Sequence, residues 1–287
     1  MLRTFAAFGE APVMQLDLWT SEWVVCGFFA YLAVLSRVQP LAAAARRRVV
    51  LVGLVCVALI FLLARLRPSP TLEVLREWLP AVYLLQGYWM CGVFFRRPMP
   101  GVERRLLDID EWLFGPRALG RLVARTPRIV CSGFELAYLL AYPLVPVGFG
   151  VFLVLGQGAR ADAFWTAALI AAFGCYGMLP WIQTRPPRAL AMQEPLCSPS
   201  PVLRRLNGAV LRRLSVQVNT LPSGHAATSV AVGLAVWSVS PAAGAVLLVV
   251  AAGISIGTVL GRYHYAVDTL SGVLVGALGW WIAFHGC

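Results

Sequence analysis

Apolar residues along this chain run in long blocks, separated by shorter connections that hold most of the charge. Runs of roughly 17 to 25 mainly apolar residues have the length that crosses the hydrocarbon core of a bilayer as a helix. Eight such runs are predicted, at Leu18–Ser36, Val49–Ala64, Glu77–Phe95, Ile129–Leu155, Ala163–Ile182, Ser223–Val239, Ala242–Leu260 and Tyr265–Phe284. The fold class that follows is all-α, a polytopic membrane helical bundle, and an even number of spans puts both termini on one side. Pro143 and Pro146 predict a kink or tilt in the fourth run. Gly253, Gly257 and Gly261, and again Gly272 and Gly276, recur at the four-residue spacing that lets helix backbones approach closely in lipid. Ordinary membrane packing accounts for that spacing; its consequence is a rigidly held last helix.

Two connections are long. Gly101 to Arg128 contains Val102 to Phe114, where apolar residues recur at helical spacing among charges. That pattern suits a helix lying in the membrane interface, and equally a solvated connecting helix. Gln183 to Leu221 holds Arg185, Arg188, Arg204, Arg205, Arg212 and Arg213, and its prolines keep the first half non-helical.

Composition supports the membrane reading: 59% of the residues are hydrophobic and mean hydropathy is +0.75, far too apolar for a soluble domain of 287 residues. All 24 basic residues are arginine, and the net charge is +11. The arginines are scattered through the connections with no soluble domain to present them, which argues against nucleic acid and for anionic lipid or a phosphate-bearing substrate. Cys26, Cys56, Cys91, Cys131 and Cys175 lie in or beside apolar runs without paired spacing, so they read as packing residues and not as a disulfide framework or a zinc site. Glu10 and Asp17 precede the first apolar run, which is long enough to span, so the N-terminus is expected to stay in the membrane rather than be cleaved as a signal.

The candidate chemistry is confined to Thr220 to Asp268, with two of the three histidines and the only carboxylate after Glu194. Ser223 is a good N-cap for the sixth span and puts His225 in its first turn. The unpaired N–H groups and positive dipole end there make an anion site, to which Ser223 adds a hydroxyl, Gly224 close backbone approach and His225 a proton source. A plain turn and cap fits the same residues. His264 and Asp268 are spaced i, i+4, which lets the carboxylate accept the Nδ1 proton and leaves Nε2 as nucleophile or base. A structural hydrogen bond or a metal pair fits this spacing too, although no zinc- or iron-like ligand set is nearby. Arg262 can reach the same mouth and hold an oxyanion through two parallel hydrogen bonds. Arg185 and Arg188 end the fifth span on the same side; singly, each reads as a snorkelling interfacial arginine.

Arg185-Pro186, Pro222-Ser223-Gly224-His225 and Arg262-x-His264-x-x-x-Asp268 resemble the three-part signature of the type 2 phosphatidic acid phosphatase superfamily. The resemblance implies a six-helix catalytic core over residues 77–287, with residues 1–76 as two further helices outside it. It implies that His264 attacks phosphorus, Asp268 orients it and His225 protonates the leaving oxygen. Arg185, Arg262, Ser223 and Gly224 then hold the phosphoryl oxygens, and Arg188, in the same connection as Arg185, is a further phosphate-binding candidate. The usual lysine of the first motif is Met178 here, and the usual arginine of the third motif is Thr258. The short Arg-Tyr-His-Tyr form is similar to the branch with the inositol-phosphorylceramide and sphingomyelin synthases.

The expected function is therefore a membrane lipid-phosphate phosphatase or phosphotransferase that uses a phosphohistidine, with no metal and no cofactor, and with a bell-shaped pH profile. Alternatives are a head-group transferase and a non-catalytic transporter with a His/Asp proton relay. Sidedness is contested. Nineteen arginines fall on the side of the two histidines and five (Arg3, Arg65, Arg67, Arg76, Arg160) on the other, which by the positive-inside rule is a cytoplasmic site. The resemblance implies an extracytoplasmic one.

Overall fold

A computed structural model describes residues 17–115, 118–190 and 194–286. Glu10 and Arg3 of the sequence reading lie outside these residues. Eleven α-helices make up the described chain: α1 (Thr20–Val38), α2 (Ala43–Arg65), α3 (Pro70–Gly92), α4 (Pro100–Phe114), α5 (Ala118–Ala124), α6 (Arg128–Val154), α7 (Ala161–Tyr176), α8 (Pro201–Leu214), α9 (Gly224–Trp237), α10 (Pro241–Leu260) and α11 (Ala266–His285). It is an all-α polytopic membrane bundle.

Each of the eight predicted runs falls on a helix, but they are not equivalent. Five helices, α1, α2, α6, α10 and α11, are long and apolar enough to cross a membrane. α3 has the length, yet Glu73, Arg76 and Glu77 charge its first turns. α7 has 16 residues and α9 only 14. These two are the heart of the bundle: α9 packs on α7, α10, α11 and α6, and α7 packs on α11, α1 and α3. Protein packs around them, in keeping with their many small buried residues, such as Ala167, Ala168, Ala171 and Ala172 on α7 and Ala227, Ala231 and Ala235 on α9. The outer helices instead expose apolar stripes at helical spacing, such as Leu270, Leu274 and Leu278 on α11.

α6 stays one helix through Pro143 and Pro146. α1 joins the same core, its Phe28 ring stacked on Phe173 of α7 at 3.9 Å. At one end of the bundle Asp162 accepts from the first N–H groups of α1, and Arg76 of α3 makes two hydrogen bonds to Glu22 of α1. The glycine spacing on α11 has the expected result. A Cβ at Gly272 would lie 2.5 Å from the Ser223 carbonyl oxygen, and one at Gly276 would lie 2.3 Å from that of Ala227. α11 is thus in backbone contact with the start of α9.

One sequence expectation is overturned. Cys131, at the start of α6, forms a disulfide with Cys197 in the connection before α8. Spacing along the chain gave no sign of it, because the partner comes from a separate connection 66 residues on. Cys56, Cys91 and Cys175 are buried free thiols, as a packing role requires.

Candidate active site

The three motifs are stitched together by backbone hydrogen bonds and polar side chains. Asn219 N–H donates to the Thr184 carbonyl at 3.0 Å, which joins the segment before α9 to the segment after α7. Ser223 N–H donates to the Asp268 carbonyl at 2.8 Å, and the Tyr265 hydroxyl donates to the Arg185 carbonyl at 3.0 Å. These bonds carry the motif residues to one end of the bundle.

Ser223 caps α9, its Oγ accepting from Ala226 N–H at 3.4 Å. His225 is therefore in the first turn, wedged edge-on between the rings of Tyr138 and Tyr142 of α6. His264 lies in the turn before α11, not on its face, so its pairing with Asp268 spans a helix start: Nδ1 is 3.5 Å from Asp268 Oδ2. That same Oδ2 accepts from Asn219 Nδ2 at 2.8 Å and from Tyr265 N–H at 3.0 Å. The two imidazoles meet edge to face, with ring centroids 6.1 Å apart. Both line one cavity of about 290 Å³, bounded also by Gly224, Arg188, Thr220 and five tyrosines, which runs out between Leu84, Leu85 and Trp89 of α3 and Ala141, Val145 and Pro146 of α6.

The candidate phosphate-binding residues divide. Gly224 and Arg188 line the cavity, and Arg188 lies over the Tyr263 ring with no ion-pair partner among the described residues. Ser223 is committed to the cap. Arg185 and Arg262 are not among the cavity-lining residues; each meets a carboxylate of α4. Glu103 accepts from Arg185 Nε at 3.0 Å, from its Nη2 at 2.8 Å and from its backbone N–H at 2.8 Å. The Arg185 guanidinium holds the Glu103 carboxyl below the usual carboxylate range. Asp110 lies 3.9 Å from Arg262, and burial pushes the Asp110 carboxyl up to about 6. Burial also lowers the Arg262 guanidinium from its ordinary value. Arg262 has φ +59°, a left-handed backbone unusual for a side chain of this size.

Asn219, Glu103 and Asp110 were not among the residues singled out in the sequence. The last two did leave a signal: seven residues apart, they share one face of an amphipathic helix with buried Leu106 between them. A further buried set ties α6 to α8 and the third motif. Glu135 accepts from the Tyr263 hydroxyl and from Asn207 Nδ2, while Arg204 lies 3.6 Å from it and donates to the Gly261 carbonyl.

The fold and site together define a helical membrane bundle that turns two histidines, one backed by a carboxylate, onto a shared cavity. The chain matches the PAP2 superfamily over residues 104–282, and it belongs to that family. It is also similar to a PA-phosphatase related-family protein of Dictyostelium discoideum, with 46% identity over 56 residues, which is 20% of this chain. The match spans about a tenth of that relative's length. No solved structure matches.

Proposed function

We propose that the protein is a membrane phosphatase or phosphotransferase for a lipid phosphate ester, working through a phosphohistidine on His264. The observation that carries this reading is the pair of imidazoles, ring centroids 6.1 Å apart, lining one cavity that has an apolar flank between α3 and α6. A phosphorus atom about 3–3.5 Å from one imidazole nitrogen leaves its ester oxygen within hydrogen-bond reach of the other.

In this scheme His264 Nε2 attacks phosphorus as the P–O ester bond breaks, and His225 gives its proton to the departing oxygen. Asp268, held by Asn219, stabilises the charge that develops on the His264 ring. Arg188 and the N-terminus of α9 offset charge on the phosphoryl oxygens. His225, now neutral, takes a proton from the second acceptor as that acceptor's oxygen attacks phosphorus. The P–N bond then breaks and His264 is restored. Water as acceptor gives free phosphate; a lipid hydroxyl gives a new phospholipid, the outcome for a head-group transferase.

The test is incubation with a radiolabelled lipid phosphate, with and without a lipid alcohol, followed by acid-labile label on the protein. His264→Ala should abolish both label and turnover. Unchanged turnover in that variant would sink the proposal and favour a transporter.

The disulfide supports an extracytoplasmic site. Cys131 and Cys197 belong to the same end of the bundle as the histidines, and such bonds persist in oxidising compartments. The arginine excess on this side loses weight as a topology signal, because Arg185, Arg204 and Arg262 are each held near a buried carboxylate. Labelling of an introduced cysteine at Arg205 by an impermeant reagent in intact cells is the expected result; labelling only after lysis would reverse the assignment.

A further inference from the structure

α4, whose sequence pattern fits an interfacial or a connecting helix equally, turns two carboxylates inward. Glu103 and Asp110 are 3% and 2% exposed, while Ile109 and Trp112 face outward. A buried carboxylate is costly unless it is paired or hydrogen-bonded, so its partners indicate what it does. Asp110 Oδ1 accepts from the N–H of Ala266, the first residue of α11, at 2.9 Å, although the two are 156 residues apart. The first N–H groups of a helix have no partner within it. Here two carboxylates from different helices serve this end: Tyr265 N–H goes to Asp268 and Ala266 N–H to Asp110.

We propose that Asp110 is a positioning residue for the reaction, fixing through Ala266 and Arg262 the turn that presents His264. His264 stands midway between these two residues. On one side Asp110 Oδ1 holds Ala266, and on the other Asp110 Oδ2 faces the guanidinium of Arg262, whose left-handed backbone needs its surroundings to hold it. The N–H groups of Tyr263 and His264 both go to the Thr258 carbonyl, so α10 supplies the third anchor of the turn. Asp110 is not among the residues that line the cavity. The charged groups facing it are Arg262 and, behind Ala266, Asp268. Glu103, on the same face of α4, holds Arg185 in the first motif. α4 thus braces two motifs at once.

The proposal rests on His264 as nucleophile, and the test separates the two ideas. Phosphate release from short-chain phosphatidic acid in mixed micelles is measured for the full chain and for Asp110→Asn and Asp110→Leu. ¹⁵N-histidine spectra of the same samples report ring tautomers, and only three histidines need resolving. Asp110→Asn keeps an oxygen for Ala266 N–H and should retain kcat within about fivefold. Asp110→Leu removes the acceptor and should lower kcat about a hundredfold with little change in KM, the effect of a misplaced nucleophile. Its His264 signal should spread over both tautomers while that of His285 stays fixed. Should Asp110→Leu not fold, Asp110→Ser, too short to reach Ala266, carries the same expectation. Equal losses in the Asn and Leu variants, or wild-type kcat in both, would overturn the proposal. If the wild type neither releases phosphate nor transfers it to an added lipid alcohol, the lipid-phosphate reading fails. The spectra then decide alone, and a single undisturbed His264 tautomer in Asp110→Leu refutes the positioning role.

Discussion

Asn219 donates its side-chain amide to Asp268 at 2.8 Å and to the hydroxyl of Thr184 at 3.0 Å, so one residue ties the carboxylate behind His264 to the first motif. The bond fixes which Asp268 oxygen the imidazole meets, since Oδ2 is the atom that receives both groups.

Asn219→Ala leaves a buried carboxylate short of a donor. A hydrogen bond to a charged group contributes about 1.5–3 kcal/mol, so turnover should drop by roughly tenfold to a hundredfold and the thermal midpoint should fall. Asn219→Asp sets a second carboxylate against the first and should lose more. Steady-state phosphate release and differential scanning fluorimetry read both effects; an Asp variant as active as wild type would contradict the arrangement.

The two carboxylates of α4 should respond to pH with opposite sign. Glu103, depressed by Arg185, stabilises the fold at neutral pH, and that contribution disappears as pH falls below about 4. Asp110, raised by burial to about 6, binds its proton more tightly folded than unfolded, so its own contribution to stability grows as pH falls from about 6 to about 4. Thermal midpoints against pH should therefore show a steeper slope over that interval in Glu103→Gln than in Asp110→Asn.

Gly272 offers a packing test. A side chain there meets the backbone of Ser223, whose position sets the start of α9. Gly272→Val should destabilise by about 1–3 kcal/mol and cost activity beyond the unfolded fraction. Normal turnover with a normal melting point would mean that α9 and α11 are not in such close contact.

Breaking Cys131–Cys197 with Cys197→Ser should lower stability by about 2–4 kcal/mol. The midpoint of the wild type should fall to the same place when a reductant is added, and the variant should not respond to it. A reductant-insensitive wild type would mean the bond is absent.

Much of this architecture can be read along the chain, because lipid demands long apolar runs and the motif residues are polar groups stranded between them. His225, His264 and Asp268 stood out for that reason. Asn219 did not, since one amide in a polar connection has no period and no partner at a telling spacing. Glu103 and Asp110 were hidden by the opposite effect: in a helix rich in charge, an inward carboxylate looks like an outward one until the face is known. Cys131 and Cys197 meet only through the tertiary path of an irregular connection. α7 and α9 were predicted as spans equal to the others, because apolar composition does not distinguish a helix touching lipid from one wrapped in protein.

The shortness of α9 has its own consequence. Its 14 residues rise about 21 Å, against roughly 30 Å for the oily layer of a bilayer. On the proposed reading, a phosphate held at the head of so short a helix would sit below the plane where lipid headgroups normally lie, in a chamber walled by tyrosines. Water would then reach it only as the protein allows, and the choice between hydrolysis and transfer would be a question of which hydroxyl can follow it down.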